Sequence, residues 1–135
     1  MSGAGIRRTG LALTVAAAAA GAAALTGLAV AAAKPPAVRA LSSTGNELAY
    51  NVEVLRAPAG PVKLVYRNRS ELAHNVALRG RKLAKPKIGK VVPKGRRSIV
   101  SFANLPAGRY TFYCSVFGHE PGGMKGTLTV AKRKS

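Results

Sequence analysis

The chain has no tryptophan, a single cysteine, two histidines and only four acidic residues among its 135 positions. One cysteine excludes an intramolecular disulfide. Against the four acids stand 22 lysines and arginines, a formal charge of +18. That balance is too basic for a typical cytosolic enzyme, while the regular runs of Val, Leu, Ile, Tyr and Phe are too ordered for a disordered tail. The length supports one domain of ordinary size.

The apolar content is unevenly spread. Sixteen of the first forty residues are alanine, and Leu11–Ala33 holds no charge at all. Arg7 and Arg8 precede that run, and small residues close it at Ala29-Val30-Ala31 or Ala31-Ala32-Ala33. Basic, then apolar, then small is the layout of an export signal. At about 1.5 Å per residue, a helix over Leu11–Ala33 is also long enough to span a bilayer as a retained anchor. Arg-Arg followed by Thr9-Gly10-Leu11 is a poor match to a twin-arginine signal. Cleaved or kept, residues 1–33 place the remainder outside the cytoplasm: exported, periplasmic, extracytoplasmic or secreted, with membrane anchoring as the alternative to cleavage.

Residues 34–46 look like a flexible linker, because Lys34-Pro35-Pro36 favours extended backbone and Ser42–Asn46 is turn chemistry. From residue 47 to 135 the apolar period becomes two. Leu48, Tyr50, Val52 and Val54 alternate with polar or small neighbours, Ala57–Pro61 breaks the run, and Val62, Leu64 and Tyr66 resume it. Further short runs follow at His74–Leu78, Ile88–Val92, Ser98–Phe102, Tyr110–Cys114 and Thr127–Ala131, separated by Pro- and Gly-rich turns. With no convincing amphipathic helix, this spacing predicts an all-β domain, an antiparallel β-sandwich or barrel.

The chemistry concentrates in one segment. Beyond residue 33 the chain has one Cys, two His and one Met, and three of these four fall between Cys114 and Met124 as C-x4-H-x4-M. Taken singly, each has an ordinary explanation. A strand-end Cys is usually a small buried side chain, Met is usually core, and a lone His usually belongs to a loop or a strand end. Jointly they use every soft ligand in the domain, and an unpaired Cys is unusual in an exported protein. A thiolate, two imidazoles and a thioether suit one copper ion cycling between Cu(I) and Cu(II). The type 1 arrangement is two His and Cys in a plane with a weak axial Met. Zinc has no redox chemistry to exploit there. Gly118, Gly122 and Gly123 let the loop fold back to present Cys114, His119 and Met124 to one point, and His74 must arrive from a neighbouring strand.

From Gly60 to Ala131 the chain resembles the plastocyanin/azurin-type cupredoxins, with bacterial auracyanin-like ligand spacing. The likeness is carried by Gly60–Asn68, Ala73-His74-Asn75-Val76, Leu105–Cys114 and Gly123–Val130. It implies a Greek-key β-sandwich with His74 and His119 as equatorial ligands, Cys114 as the thiolate and Met124 as the axial thioether. It also implies that Asn75 braces the Cys loop by hydrogen bonds. By the same resemblance His119 reaches the surface in an apolar patch with Phe117, Pro121 and Gly122, through which electrons pass. Phe117 stands where bacterial relatives often have proline, and the acidic patches of the plant proteins are missing.

Nine basic residues and no acid lie between Arg79 and Arg97: Arg79, Arg81, Lys82, Lys85, Lys87, Lys90, Lys94, Arg96 and Arg97. They are either a solvated face or a patch that steers the protein to acidic redox partners or an anionic membrane surface. Nucleic acid is an unfavourable partner, given export and the lack of interleaved aromatics. The expectation is a monomeric one-electron carrier with no substrate reaction of its own. An extracytoplasmic copper-binding and delivery protein is the alternative, and a basic surface module with a structural metal is a third. Copper enzymes of this lineage need further copper centres and more than two histidines.

Overall fold

The computed structural model describes residues 32–45 and 48–134. The expected signal or anchor helix lies outside the described residues, apart from the last two positions of Leu11–Ala33. Among the described residues no helix is long and apolar enough to cross a membrane.

Among the described residues eight strands form: β1 (Ala37–Ser42), β2 (Val54–Pro58), β3 (Gly60–Arg67), β4 (Ala77–Arg79), β5 (Lys87–Ile88), β6 (Arg97–Leu105), β7 (Gly108–Tyr113) and β8 (Lys125–Ala131). They make two sheets, β1-β3-β6 and β2-β8-β7-β4-β5. The sandwich is mixed rather than purely antiparallel. β1 pairs parallel with β3, and β2 pairs parallel with β8, while every other ladder is antiparallel. β1 lies on an edge of one sheet, the chain crosses to an edge of the other as β2, and it returns at Gly60 as β3. Strands that switch sheets in this way cannot all be hairpin neighbours.

Period-two alternation drives the core. Val62, Leu64 and Tyr66 of β3 and Val100 of β6 face Leu78, Tyr110, Phe112, Leu128 and Val130 of the opposite sheet, all of them buried. Each such side chain contributes about 1.5–3 kcal/mol by leaving water. Tyr50 stands edge-on to Tyr66 with ring centroids 5.5 Å apart, and lies 5.4 Å from Phe112.

Two expectations are corrected. Residues 34–46 are not a simple tether, because Ala37–Ser42 is hydrogen-bonded into the first sheet and Leu41 is buried. Conversely, Leu48–Glu53 is not a strand. Tyr50 makes an isolated bridge to Ser43, and Leu48 and Val52 pack on the core from a loop. Alternation there reflects a loop laid over the core, without a ladder partner.

Candidate metal centre

Cys114 follows the last residue of β7, and the chain returns to the sheet at Lys125, the first residue of β8. Between them the loop is closed by its own backbone. His119 N–H donates to the Val116 carbonyl (3.0 Å), Gly122 N–H to Gly118 (3.1 Å) and Gly123 N–H to Glu120 (3.0 Å). Gly118 and Gly123 have φ of 79° and 113°, values that a side chain strongly disfavours, so these turns need glycine. Met124 then ties the loop together. Its N–H donates to the His119 carbonyl and its carbonyl accepts from Cys114 N–H, each at 3.0 Å. The Met124 side chain is fully buried.

His74 enters from the other side of the sheet order, just before β4, and its backbone is paired with Val92. The loop leading to it hangs on Asn68, which is buried. Asn68 Nδ2 donates to the Leu72 and Val92 carbonyls (2.7 and 2.9 Å), and Oδ1 accepts from Tyr66 Oη (3.1 Å) and Ser70 N–H (2.9 Å). The Tyr66 ring stands edge-on to His74.

These supports bring three donor atoms together. His74 Nδ1 lies 3.0 Å from His119 Nδ1, and Cys114 Sγ lies 3.8 Å and 3.5 Å from the two. The point equidistant from all three is about 2.0 Å from each, within the range of metal–nitrogen and metal–thiolate bonds (about 2.0–2.3 Å). Three lone-pair donors converging on one buried point repel unless a proton or a cation lies among them. His74 Nε2 is buried and has no hydrogen-bond partner among the described residues. Burial, and after it the neighbouring His119, pushes the His74 pKa down and keeps the ring neutral. Burial likewise pushes the Cys114 thiol up, opposed by backbone hydrogen bonds from Asn75 and Val116. The pocket therefore favours neutral ligands until a cation takes the thiol proton's place. Soft sulfur plus two imidazoles, nearly dry, fits copper.

Asn75 is buried and links the two ligand-bearing segments. Nδ2 donates to the Gly89 carbonyl and Ser115 Oγ, both at 2.7 Å, and Oδ1 accepts from Ser115 N–H at 2.8 Å. Its carbonyl accepts from Tyr50 Oη at 2.7 Å. Sequence reasoning did not single out Asn68, Tyr50 or Ser115. Tyr50 and Ser115 meet Asn75 from 25 and 40 positions away, and Asn68 reaches Val92 across 24, so no local motif marks these links.

At the surface, Phe117 is fully exposed, Pro121 and Gly122 are exposed, and His119 is half-buried. The basic stretch is not uniformly free. Arg79 forms a two-pronged ion pair with Glu120 and stacks over the Tyr113 ring, 4.5 Å from its centroid. The pairing with Arg79 holds the Glu120 carboxyl below its usual range. Lys94 pairs with Glu71, Lys82 reaches the Ala107 carbonyl, and Lys87 reaches the Ser101 carbonyl. Arg81, Lys85, Lys90, Arg96 and Arg97 are exposed.

A family profile described as Cupredoxin-like domain matches residues 11–130. Among solved structures, dithionite-reduced auracyanin from Roseiflexus castenholzii is 25% identical, covering 72% of this chain and 99% of its own, with a TM-score of 0.61. Auracyanin A, a "blue" copper protein from Chloroflexus aurantiacus, is 24% identical over 72% of this chain and 100% of its own, with a TM-score of 0.62. A copper-containing nitrite reductase from Thermus scotoductus is 19% identical over 73% of this chain, but only 28% of that longer chain is covered, with a TM-score of 0.54. No curated protein sequence matches.

Proposed function

The chain belongs to the cupredoxin-like domain family, and from that premise we propose that it is an exported blue copper protein carrying single electrons between redox proteins. The observation that carries this is the triangle of His74 Nδ1, Cys114 Sγ and His119 Nδ1 in a buried pocket. Met124, buried and held by its backbone to Cys114 and His119, would be the fourth ligand. When bound, copper supplies one-electron chemistry through its Cu(I) and Cu(II) states.

The protein's own residues do the rest. His74, Cys114 and Met124 are 0%, 1% and 0% exposed, so water has little access to the donors. That burial also argues against ready metal exchange, and so against copper delivery. Asn75 holds the Cys114 segment to the His74 segment, limiting ligand movement between charge states. Phe117, Pro121 and Gly122 surround His119 with an exposed apolar surface, the port at which a partner docks and an electron passes. Transient redox contacts are small, so this patch suffices. Arg79, joined to Glu120 beside His119, brings the start of the Arg79–Arg97 stretch to the rim of that port. The exposed cations behind it steer the protein toward partners with acidic surfaces, or hold it near an anionic membrane. The protein acts as a monomer with no substrate reaction of its own.

The test is spectroscopic. Copper-loaded, oxidised protein should absorb intensely near about 600 nm through the copper–thiolate bond, and Cys114→Ser should abolish the band. A colourless copper complex, or a band that survives Cys114→Ser, overturns the assignment.

A further inference from the structure

A cleft on the outer face of the five-stranded sheet gathers part of the basic stretch around one cavity, an arrangement that long-range steering does not require. The ladders set Arg79 opposite Thr111, and Thr111 opposite Thr127, so these side chains form a row across β4, β7 and β8. Their neighbours Leu78 and Phe112 point the other way, into the core. Two positions from Thr111 along β7, Arg109 returns to the outer face. The connection from β4 to β5 adds Arg81 and Lys85, and together these residues line a cleft of about 590 Å³. Four cationic side chains line it and no acid does.

That composition selects a ligand class. Arginine forks match the geometry of phosphate oxygens, and lysine adds a compact charge. Threonine hydroxyls can donate to the same oxygens. The volume lies in the ordinary range for small-molecule sites. Arg79 is paired with Glu120, but Arg81, Lys85 and Arg109 repel one another across the cleft, and a bound anion relieves that repulsion.

We infer that this cleft binds a small, multivalent oxyanion of the phosphate class, held by Arg81, Lys85, Arg109, Thr111 and Thr127, with Arg79 as the wall it shares with the metal loop. Arg79 contacts the residue after His119, which is Glu120, and the residue before Cys114, which is Tyr113. An anion beside Arg79 weakens its hold on Glu120 and adds negative charge near the ligands. Both effects favour the more oxidised metal and lower the reduction potential. This coupling rests on the copper assignment; the binding itself does not.

The test is calorimetric titration of the metal-free full chain with inorganic pyrophosphate at fixed ionic strength. One saturable site is expected, weakened at least about tenfold in the Arg81→Gln/Lys85→Gln/Arg109→Gln variant. Lys90→Gln/Arg96→Gln/Lys132→Gln removes equal charge outside the cleft and should leave the affinity unchanged. No saturable binding, or equal weakening in both variants, overturns the site. Phosphatidic acid vesicles present the same chemistry on a surface. Cleft-dependent binding to them with none to pyrophosphate overturns the free-ligand form. With copper loaded, pyrophosphate should lower the potential of the parent and not of the cleft variant. A static potential despite intact binding refutes the Arg79 link. Intact pyrophosphate binding by a protein that forms no blue centre sinks the electron-carrier role and leaves the cleft standing.

Discussion

Replacing Asn75 with alanine removes three hydrogen bonds at once. Two of them end on Ser115, which is exposed, so its N–H and hydroxyl can turn to water. Each of these is worth about 0.5–1 kcal/mol net. The third ends on the Gly89 carbonyl, which is buried and has no such recourse. A stranded buried acceptor costs about 1–3 kcal/mol. The total is about 3 kcal/mol, which for a domain of about 100 residues lowers the melting temperature by about 12–20 °C. Thermal unfolding of the metal-free protein, followed by circular dichroism, reads that loss without involving copper. In the copper-loaded variant the visible band should also shift or broaden, because the Cys114 segment is no longer braced. Asn75→Asp is the informative companion. It preserves shape and the acceptor for Ser115 N–H, but sets a carboxylate oxygen against the Gly89 carbonyl. Protonation restores a donor there, so this variant should regain stability as pH falls. A metal-free Asn75→Ala melting within about 4 °C of the parent, less than about 1 kcal/mol, would refute the claim that these bonds hold the two ligand-bearing segments together.

Met124→Leu fills nearly the same volume and should cost less than about 1.5 kcal/mol, while keeping copper and raising the reduction potential; voltammetry showing a lower potential contradicts an axial thioether. Because burial raises the Cys114 thiol, metal must displace its proton. Zinc affinity measured by competition should therefore rise about tenfold per pH unit from about pH 7.5 to 8.5, with proton release in weak buffer, and flat affinity rules this out. Glu120 has a lowered carboxyl pKa because Arg79 hydrogen-bonds its charged form. The stability it contributes is present above the usual carboxylate range and fades as pH falls through the folded value. The pair is partly exposed, so the effect is about 0.5–1 kcal/mol. The gap between parent and Glu120→Gln in denaturant unfolding should close between pH 6 and 3, and a constant gap removes the ion pair as its cause.

Local pattern and tertiary context contributed differently to this protein. Strands β3, β6, β7 and β8 were legible because their alternation is complete within one segment: Val62, Leu64 and Tyr66 face inward whatever lies beside them. The Cys114–Met124 loop was legible for the same reason, since three donors and its turn glycines sit within eleven positions. Strand β1 was hidden because Ala37–Ser42 has little apolar pattern of its own and is a strand by virtue of the β3 ladder. Leu48–Glu53 misled because a loop draped over a core shows the same alternation as a strand.

The amino-acid order alone determined the all-β class, the basic charge and the inventory of soft ligands, since these depend on near neighbours and composition. Only the tertiary structure decided that β1 pairs parallel with β3 and β2 with β8, that Asn68 ties the loop before His74 to Val92, and that Arg79 joins Glu120 rather than solvent. Those outcomes depend on residues tens of positions apart meeting across two sheets, and distance along a chain carries no information about distance in space until the sheets have packed.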